Sequence, residues 1–221
     1  MAKNISIYEK FNSFVDIKIQ SNSNHNTTEI YNNLISNINK YFDQHSEDDK
    51  NILNLILKNF QNLNKNDFNL KKNVLEELSR IDDENKSNYL IHRYKYEIYP
   101  KIKKLSAYPP LLQIEPTSMC NYRCIFCYQT DDQFNVKSKG YMGHMKLETF
   151  KKIIDEINGE IQFLTIASRG EPLMCPEFDK MLDYTKDKFL NLKINTNASL
   201  LNEKFAHAIL RNNVSTVVFS A

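Results

Sequence analysis

The chain has 221 residues, 29 Lys and Arg against 27 Asp and Glu, and a formal net charge of +2. That balance gives no global reason to expect nucleic acid as a partner, and 41% hydrophobic residues suit one large globular domain or two small ones. No apolar run approaches the roughly 18 residues of a membrane span, and the opening MAKNISIYEKFN lacks the apolar core and cleavage site of a secretory signal. The reading is a cytoplasmic protein with no membrane partner, whose thiols stay reduced.

Before Pro100 there is no Gly, Pro or Cys. Few breakers imply long helices joined by polar, Asn-rich connections. Phe14 to Ile19 alternates like a short strand. Glu29 to Gln44 carries a helical stripe of Ile30, Leu34, Ile35, Ile38, Tyr41 and Phe42. Ser46 with Asp49 forms a helix start before Ile52, Leu53, Ile56 and Phe60. Phe68 to Ile81 continues the pattern with Val74, Leu75 and Leu78. Arg93 to Lys104 interleaves bases with aromatics, and we read it as a half-solvated helix and linker with Tyr rings beneath, since nothing extends the patch. The organisation expected is a mainly helical region over 1–105 and a second region over 106–221.

From Tyr108 onward strands alternate with helices. Strands are expected at Leu111–Glu115, Glu160–Ser168, Asn191–Asn197 and Val214–Ser220. Helices are expected at Leu147–Ile157, closed by Asn158-Gly159, at Glu177–Lys188, and after Asn202 as cap. Such alternation predicts a parallel sheet with helices outside, an α/β fold. Splitting each strand by its two-residue period places Leu112, Ile114, Leu164, Ile166, Leu192, Ile194, Val217 and Phe219 on one apolar face. The opposite face, with Leu111, Gln113 and Glu115, Phe163, Thr165 and Ala167, Lys193, Asn195 and Asn197, and Thr216, Val218 and Ser220, turns polar or small toward the strand ends. A buried parallel sheet is normally apolar on both faces. Polarity on one side implies a ligand, water or cavity at the end of the sheet where α/β folds bind ligands.

Cys120, Cys124 and Cys127 fall in the loop after the first strand, at that end, in a chain with only one other cysteine. Ser168 to Pro172 follows the second strand and Asn195 to Asn197 ends the third, so three features converge on one mouth. Clustered thiols in a reducing compartment point to metal. Cys120, Cys124 and Cys127 with His144 could make a Cys₃His zinc site, although the spacing Cys-x₃-Cys-x₂-Cys is a poor match. A cluster with four protein ligands would need Cys175, which lies between Met174 and Pro176 and reads better as a buried inert thiol. Three thiolates can also hold three corners of a cubane and leave the fourth iron open to a substrate.

Cys120-x₃-Cys124-x₂-Cys127, with Phe126 before the last Cys, resembles the signature of radical S-adenosylmethionine (radical SAM) enzymes. The segment Arg169-Gly-Glu-Pro172 is similar to that family's Gly-Gly-Glu-Pro segment after the second strand, and the third and fourth strand ends are similar too. Arg169 departs from the pattern, standing where the family often has Gly. The resemblance covers Leu111 to Ala221. It implies a partial (β/α) barrel with parallel strands, preceded by the helical N-terminal region. It implies a [4Fe–4S] cluster on Cys120, Cys124 and Cys127, with S-adenosylmethionine bound at the open iron. It further implies reductive cleavage to methionine and a 5′-deoxyadenosyl radical, which takes a hydrogen atom from substrate. Phe126 is expected near the adenine, Gly170 and Glu171 at the amino group, and Asn195, Asn197 and Ser220 at the carboxylate and ribose. A reductant protein such as a flavodoxin or ferredoxin is the expected partner.

Each of these residues also has a plainer reading as packing, turn or strand-end residue, and Glu115, Tyr128, Gln129 and His144 read as surface or packing residues near the mouth. The family's barrel usually has six strand–helix units, whereas three and the start of a fourth are counted here, so a longer complete protein is expected. The substrate is not specified by the sequence; peptides and other natural-product precursors are among those of similar enzymes. Two alternatives are an iron–sulfur electron-transfer protein with Cys175 as fourth ligand and a zinc-stabilised interaction protein.

Overall fold

The computed structural model describes residues 24–62 and 68–220. The strand expected at Phe14–Ile19 lies outside them. The chain divides into two units between Lys101 and Ile102.

The first unit holds helices α1 (Asn24–Tyr41), α2 (Glu47–Gln61), α3 (Lys72–Leu78) and α4 (Asp83–Ile98). Tyr31, Leu34 and Ile38 line one face of α1, and Ile52, Leu53, Ile56 and Phe60 one face of α2. These are the spacings that bring side chains to one helical stripe. The α2 start follows the expected chemistry: Ser46 Oγ accepts from the Asp49 amide at 3.2 Å, and Glu47, Asp48 and Asp49 occupy the positive end of the helix dipole. The α1 helix begins before Glu29, in a polar segment where no apolar period marks a start, and a 3₁₀ turn over Phe42–Gln44 replaces its last expected residues. In the basic–aromatic stretch, Tyr94 and Tyr99 are buried while Tyr96 is exposed, in keeping with a solvated face over packed rings.

The second unit follows the alternation read from the sequence. Its elements are β1 (Leu112–Ile114), α5 (Leu147–Ile157), β2 (Phe163–Ile166), α6 (Phe178–Thr185), β3 (Asn191–Thr196), α7 (Glu203–Arg211) and β4 (Thr216–Phe219). The strands form one parallel sheet in the order β1-β2-β3-β4. Its register sets Leu112 beside Leu164 and Leu164 beside Leu192, and Ile114 beside Ile166, Ile194 and Val217 in successive strands. Matched apolar positions therefore form continuous ridges on one face. They pack with Phe150, Ile154 and Ile157 of α5, Phe178, Met181 and Leu182 of α6, and Phe205 and Ala208 of α7. β1, β2 and β4 are shorter than expected at both ends and β3 only at its C-terminal end, where the flanking residues pass into the loops of the mouth. Asn202 caps α7 through Oδ1, which accepts from the Phe205 amide at 3.1 Å. Two ties join α6 to α7: Arg211 donates from Nε and Nη2 to the Asp183 carboxylate, both at 2.8 Å.

Candidate functional site

The mouth is built from the segments leaving the C-terminal ends of β1, β2 and β3. After β1 the chain turns at Thr117 and Ser118, both buried, and enters the cysteine loop. This turn is held from the side by a second segment. Ser118 exchanges bonds with Gly143: its amide donates to the Gly143 carbonyl at 3.0 Å, and its Oγ accepts from the Gly143 amide at 2.8 Å. Thr117 pairs as an isolated antiparallel bridge with His144, which places His144 on the support of the loop.

Cys120, Cys124 and Cys127 are all part-exposed, free thiols. A turn between the last two is closed by the Cys127 amide donating to the Cys124 carbonyl at 2.9 Å. The base of the loop is stapled by Gln129, buried, whose Nε2 donates to the Ser118 carbonyl at 2.5 Å. Ile125 and Phe126 at the loop tip are 95% and 88% exposed, so Phe126 packs neither in the core nor beneath the loop. Tyr128 is exposed and meets Phe134 edge-on.

Cys175 has a different environment. It is 1% exposed within the apolar core on the helix side of the sheet, and burial pushes its thiol pKa up. That corrects the alternative in which Cys175 supplies a fourth ligand: a thiol sealed among Leu, Ile and Phe side chains is not presented to a cluster. The zinc alternative also lacks support, since among the described residues no three His, Cys, Asp or Glu side chains converge as a cage for a single ion. A cubane makes a different demand. It takes one thiol per iron, and three part-exposed thiols on a single loop are donors of that kind.

The segment after β2 meets the cysteine loop main chain to main chain. A Cβ on Gly170 would lie 1.7 Å from the Thr117 carbonyl oxygen and 3.0 Å from that of Met119, so only glycine fits. The next residue continues the contact, the Glu171 amide donating to the Met119 carbonyl at 2.8 Å. Arg169, by contrast, has room for its side chain. Its Nε and its amide both donate to the Glu115 carboxylate at 3.1 Å, tying the end of β1 to the end of β2. The departure from glycine at Arg169 therefore does not obstruct the loop contact, which is made one residue later.

Glu171 is nearly fully buried and joins β2 to β3. Oε1 accepts from the Leu173 amide at 3.1 Å and from Thr196 Oγ1 at 2.5 Å, while Oε2 accepts from the Asn197 amide at 2.7 Å. Asn197 reaches back to the cysteine loop, with Nδ2 donating to Asn121 Oδ1 at 3.0 Å. Asn195 lies on the polar face of the sheet, and its Oδ1 is buried without a hydrogen-bond partner. A buried orphan acceptor at that position fits a ligand that brings a donor. The Ser220 amide donates to the Thr196 carbonyl at 2.9 Å, extending the β3–β4 pairing.

The start of the cysteine loop, from Thr117 to Asn121, is thus linked by direct bonds or contacts to Gly170, Glu171 and Asn197, whereas Phe126 and Ser220 make no side-chain bond to these residues. Sequence reading missed the Glu115–Arg169 pair, the Gln129 staple, and Asn121 with Ser199. Opposite charges just beyond the C-terminal ends of two neighbouring strands, one residue after β1 and three after β2, signal the first. The others depend on loop conformation, which no sequence period encodes.

Residues 114–221 match the family model of the Radical SAM superfamily. A tungsten-containing aldehyde ferredoxin oxidoreductase cofactor-modifying protein of Pyrococcus furiosus is 30% identical over 49% of this chain and 30% of its own length. An Fe-coproporphyrin III synthase of Methanosarcina barkeri is 24% identical over 49% of this chain and 26% of its own. The mycofactocin maturase MftC of Mycobacterium ulcerans is 28% identical over 44% of this chain and 25% of its own. This chain spans less than a third of the length of each of these relatives. Superfamily members use a [4Fe–4S] cluster and S-adenosylmethionine, and the thiol loop, the glycine contact and the orphan Asn195 acceptor fit that pair. Residues 114–221, just under half of this chain, are a region of the Radical SAM superfamily.

Proposed function

We propose that this chain is the cluster-bearing part of an enzyme that cleaves S-adenosylmethionine reductively and takes a hydrogen atom from an organic substrate of the peptide or natural-product-precursor class. Cys120, Cys124 and Cys127 hold the [4Fe–4S] cluster, which when bound supplies the electron for that cleavage. The observation that carries this reading is the partition of the thiols: three part-exposed at the mouth, the fourth sealed in the core.

The residues around the thiols divide the remaining work. Gly170 lets the loop after β2 approach the cysteine loop, and Glu171 fixes that loop to β3. Asn195 offers its orphan acceptor to the amino acid or ribose end of S-adenosylmethionine, and Ser220 stands at the end of the neighbouring strand. Phe126, exposed on the loop tip, covers the adenine. A flavodoxin or ferredoxin supplies electrons in the reducing cytoplasm. Among the described residues no helix is long and apolar enough to cross a membrane.

Anaerobic reconstitution of the complete protein with iron and sulfide, then dithionite and S-adenosylmethionine, tests the proposal. The expected product is 5′-deoxyadenosine, lost on replacing any of Cys120, Cys124 or Cys127 by Ala and kept in Cys175→Ala. A wild-type preparation that carries the cluster and yields no 5′-deoxyadenosine contradicts it.

A further inference from the structure

The side chain of Asn197 is committed within the protein. Its Nδ2 donates to Asn121 Oδ1 at 3.0 Å and faces Cys120 Sγ at 4.0 Å. Its Oδ1 accepts from the Ser199 amide at 3.0 Å and from Ser199 Oγ at 2.7 Å. Asn121 closes the ring, donating from Nδ2 to Ser199 Oγ at 2.7 Å. A carboxamide has two N–H donors and two acceptor lone pairs, and each points at a group of this chain. The backbone is held as well, by the bond from the Asn197 amide to the buried Glu171. An amide so placed has nothing left to offer a cofactor without breaking a bond. It does have one N–H aimed at the sulfur of the first cysteine.

We propose that Asn197 is a positioning residue for the cysteine loop. It latches the loop to the end of β3 through Asn121 and Ser199, and its donor toward Cys120 sets the reduction potential of the cluster. The inference rests on the reading that Cys120, Cys124 and Cys127 hold that cluster. An N–H donor beside a ligating sulfur stabilises the more negative, reduced state, and hydrogen bonds to sulfur are among the means by which proteins tune iron–sulfur potentials. Removing it shifts the potential to more negative values.

The test uses the full chain, reconstituted anaerobically without S-adenosylmethionine, as wild type, Asn197→Ala and Asn197→Asp. Iron content and the midpoint potential, followed by electron paramagnetic resonance, are the readouts. Asp keeps an oxygen for Ser199 but replaces the N–H donor with an acceptor. The wild type is expected to bind about four irons, and both variants to show a more negative potential, Asp the more so because it adds charge. If Ala fails to take up the cluster, Asp decides alone. Loss of cluster uptake in both variants with an unchanged far-ultraviolet circular dichroism spectrum also supports the latch. A loaded variant with the wild-type potential, or a more positive one, overturns the role of Asn197 and leaves the cluster reading standing. A wild-type chain that takes up no iron overturns the cluster reading, and the inference with it.

Discussion

At the scale of the residue, two positions carry sharp expectations. Gly170→Ala forces a methyl group into the Thr117 carbonyl. Backbone must move, so the variant is expected to lose about 3 kcal/mol or more in urea unfolding; a wild-type midpoint would refute the close approach. Cys175 gives the second. In the native, cluster-free chain, a thiol reagent is expected to modify Cys120, Cys124 and Cys127 quickly and Cys175 only after unfolding, because the first three are part-exposed and the last is buried with a raised pKa. Mass spectrometry of the labelled peptides reads the result, and early labelling of Cys175 would contradict its burial. Much of this was legible beforehand. The Cys spacing located the loop, and Met174 and Pro176 marked Cys175 as a core thiol. Glu171 was harder: its place in the motif was visible, but its bonds to Thr196 and Asn197 join residues far apart in the chain and depend on strand register.

At the scale of the element, the bond pair between α6 and α7 yields a pH prediction. The Arg211 hydrogen bond, aided by Asn212, holds the Asp183 carboxyl below its ordinary range. A depressed folded-state pKa means that the stabilisation is present above the unfolded value, about 3.9, and is lost as pH falls through the folded one. Both partners are about half-exposed, so the contribution is below about 1 kcal/mol. Thermal melts from pH 6 to about pH 3 should therefore show a slightly shallower acid loss in Asp183→Asn than in wild type; parallel curves would dismiss the pair. The cap of α7 is a larger handle, and Asn202→Ala is expected to cost about 1 kcal/mol in urea unfolding, with an unshifted midpoint counting against the cap. The cap was readable from Asn202 ahead of Phe205, and α5 was placed at its observed ends because Leu147, Phe150, Ile154 and Ile157 repeat at helical spacing. Strand ends were overextended by up to three residues, because the residues that flank a strand, such as Glu115, Ser168 and Asn197, carry no signal of where the ladder gives way to a loop.

At the scale of the whole molecule, the division between Lys101 and Ile102 falls beside a stretch built to be cut. Lys101, Lys103 and Lys104 are exposed, Lys103 has a positive φ of 54°, and Leu105 is 91% exposed. Brief trypsin digestion is expected to cleave first within 101–104, giving two large fragments by mass; a first cut inside either unit would argue against it. The two faces of the sheet were assigned from period alone, and the register aligns the apolar set in rows, as a parallel sheet covered by helices requires. How the loops at the strand ends engage one another was beyond such reasoning. The junction of Gly170 with Thr117 shows what that engagement means for selectivity. Where two strand ends touch through carbonyl and α-carbon, no rotamer can open the gap. A guest seated beside that junction meets a wall assembled during folding, so its association does not bear that ordering cost. The width on that flank is a property of the polypeptide backbone, and side-chain substitutions farther out will retune chemistry there more readily than size.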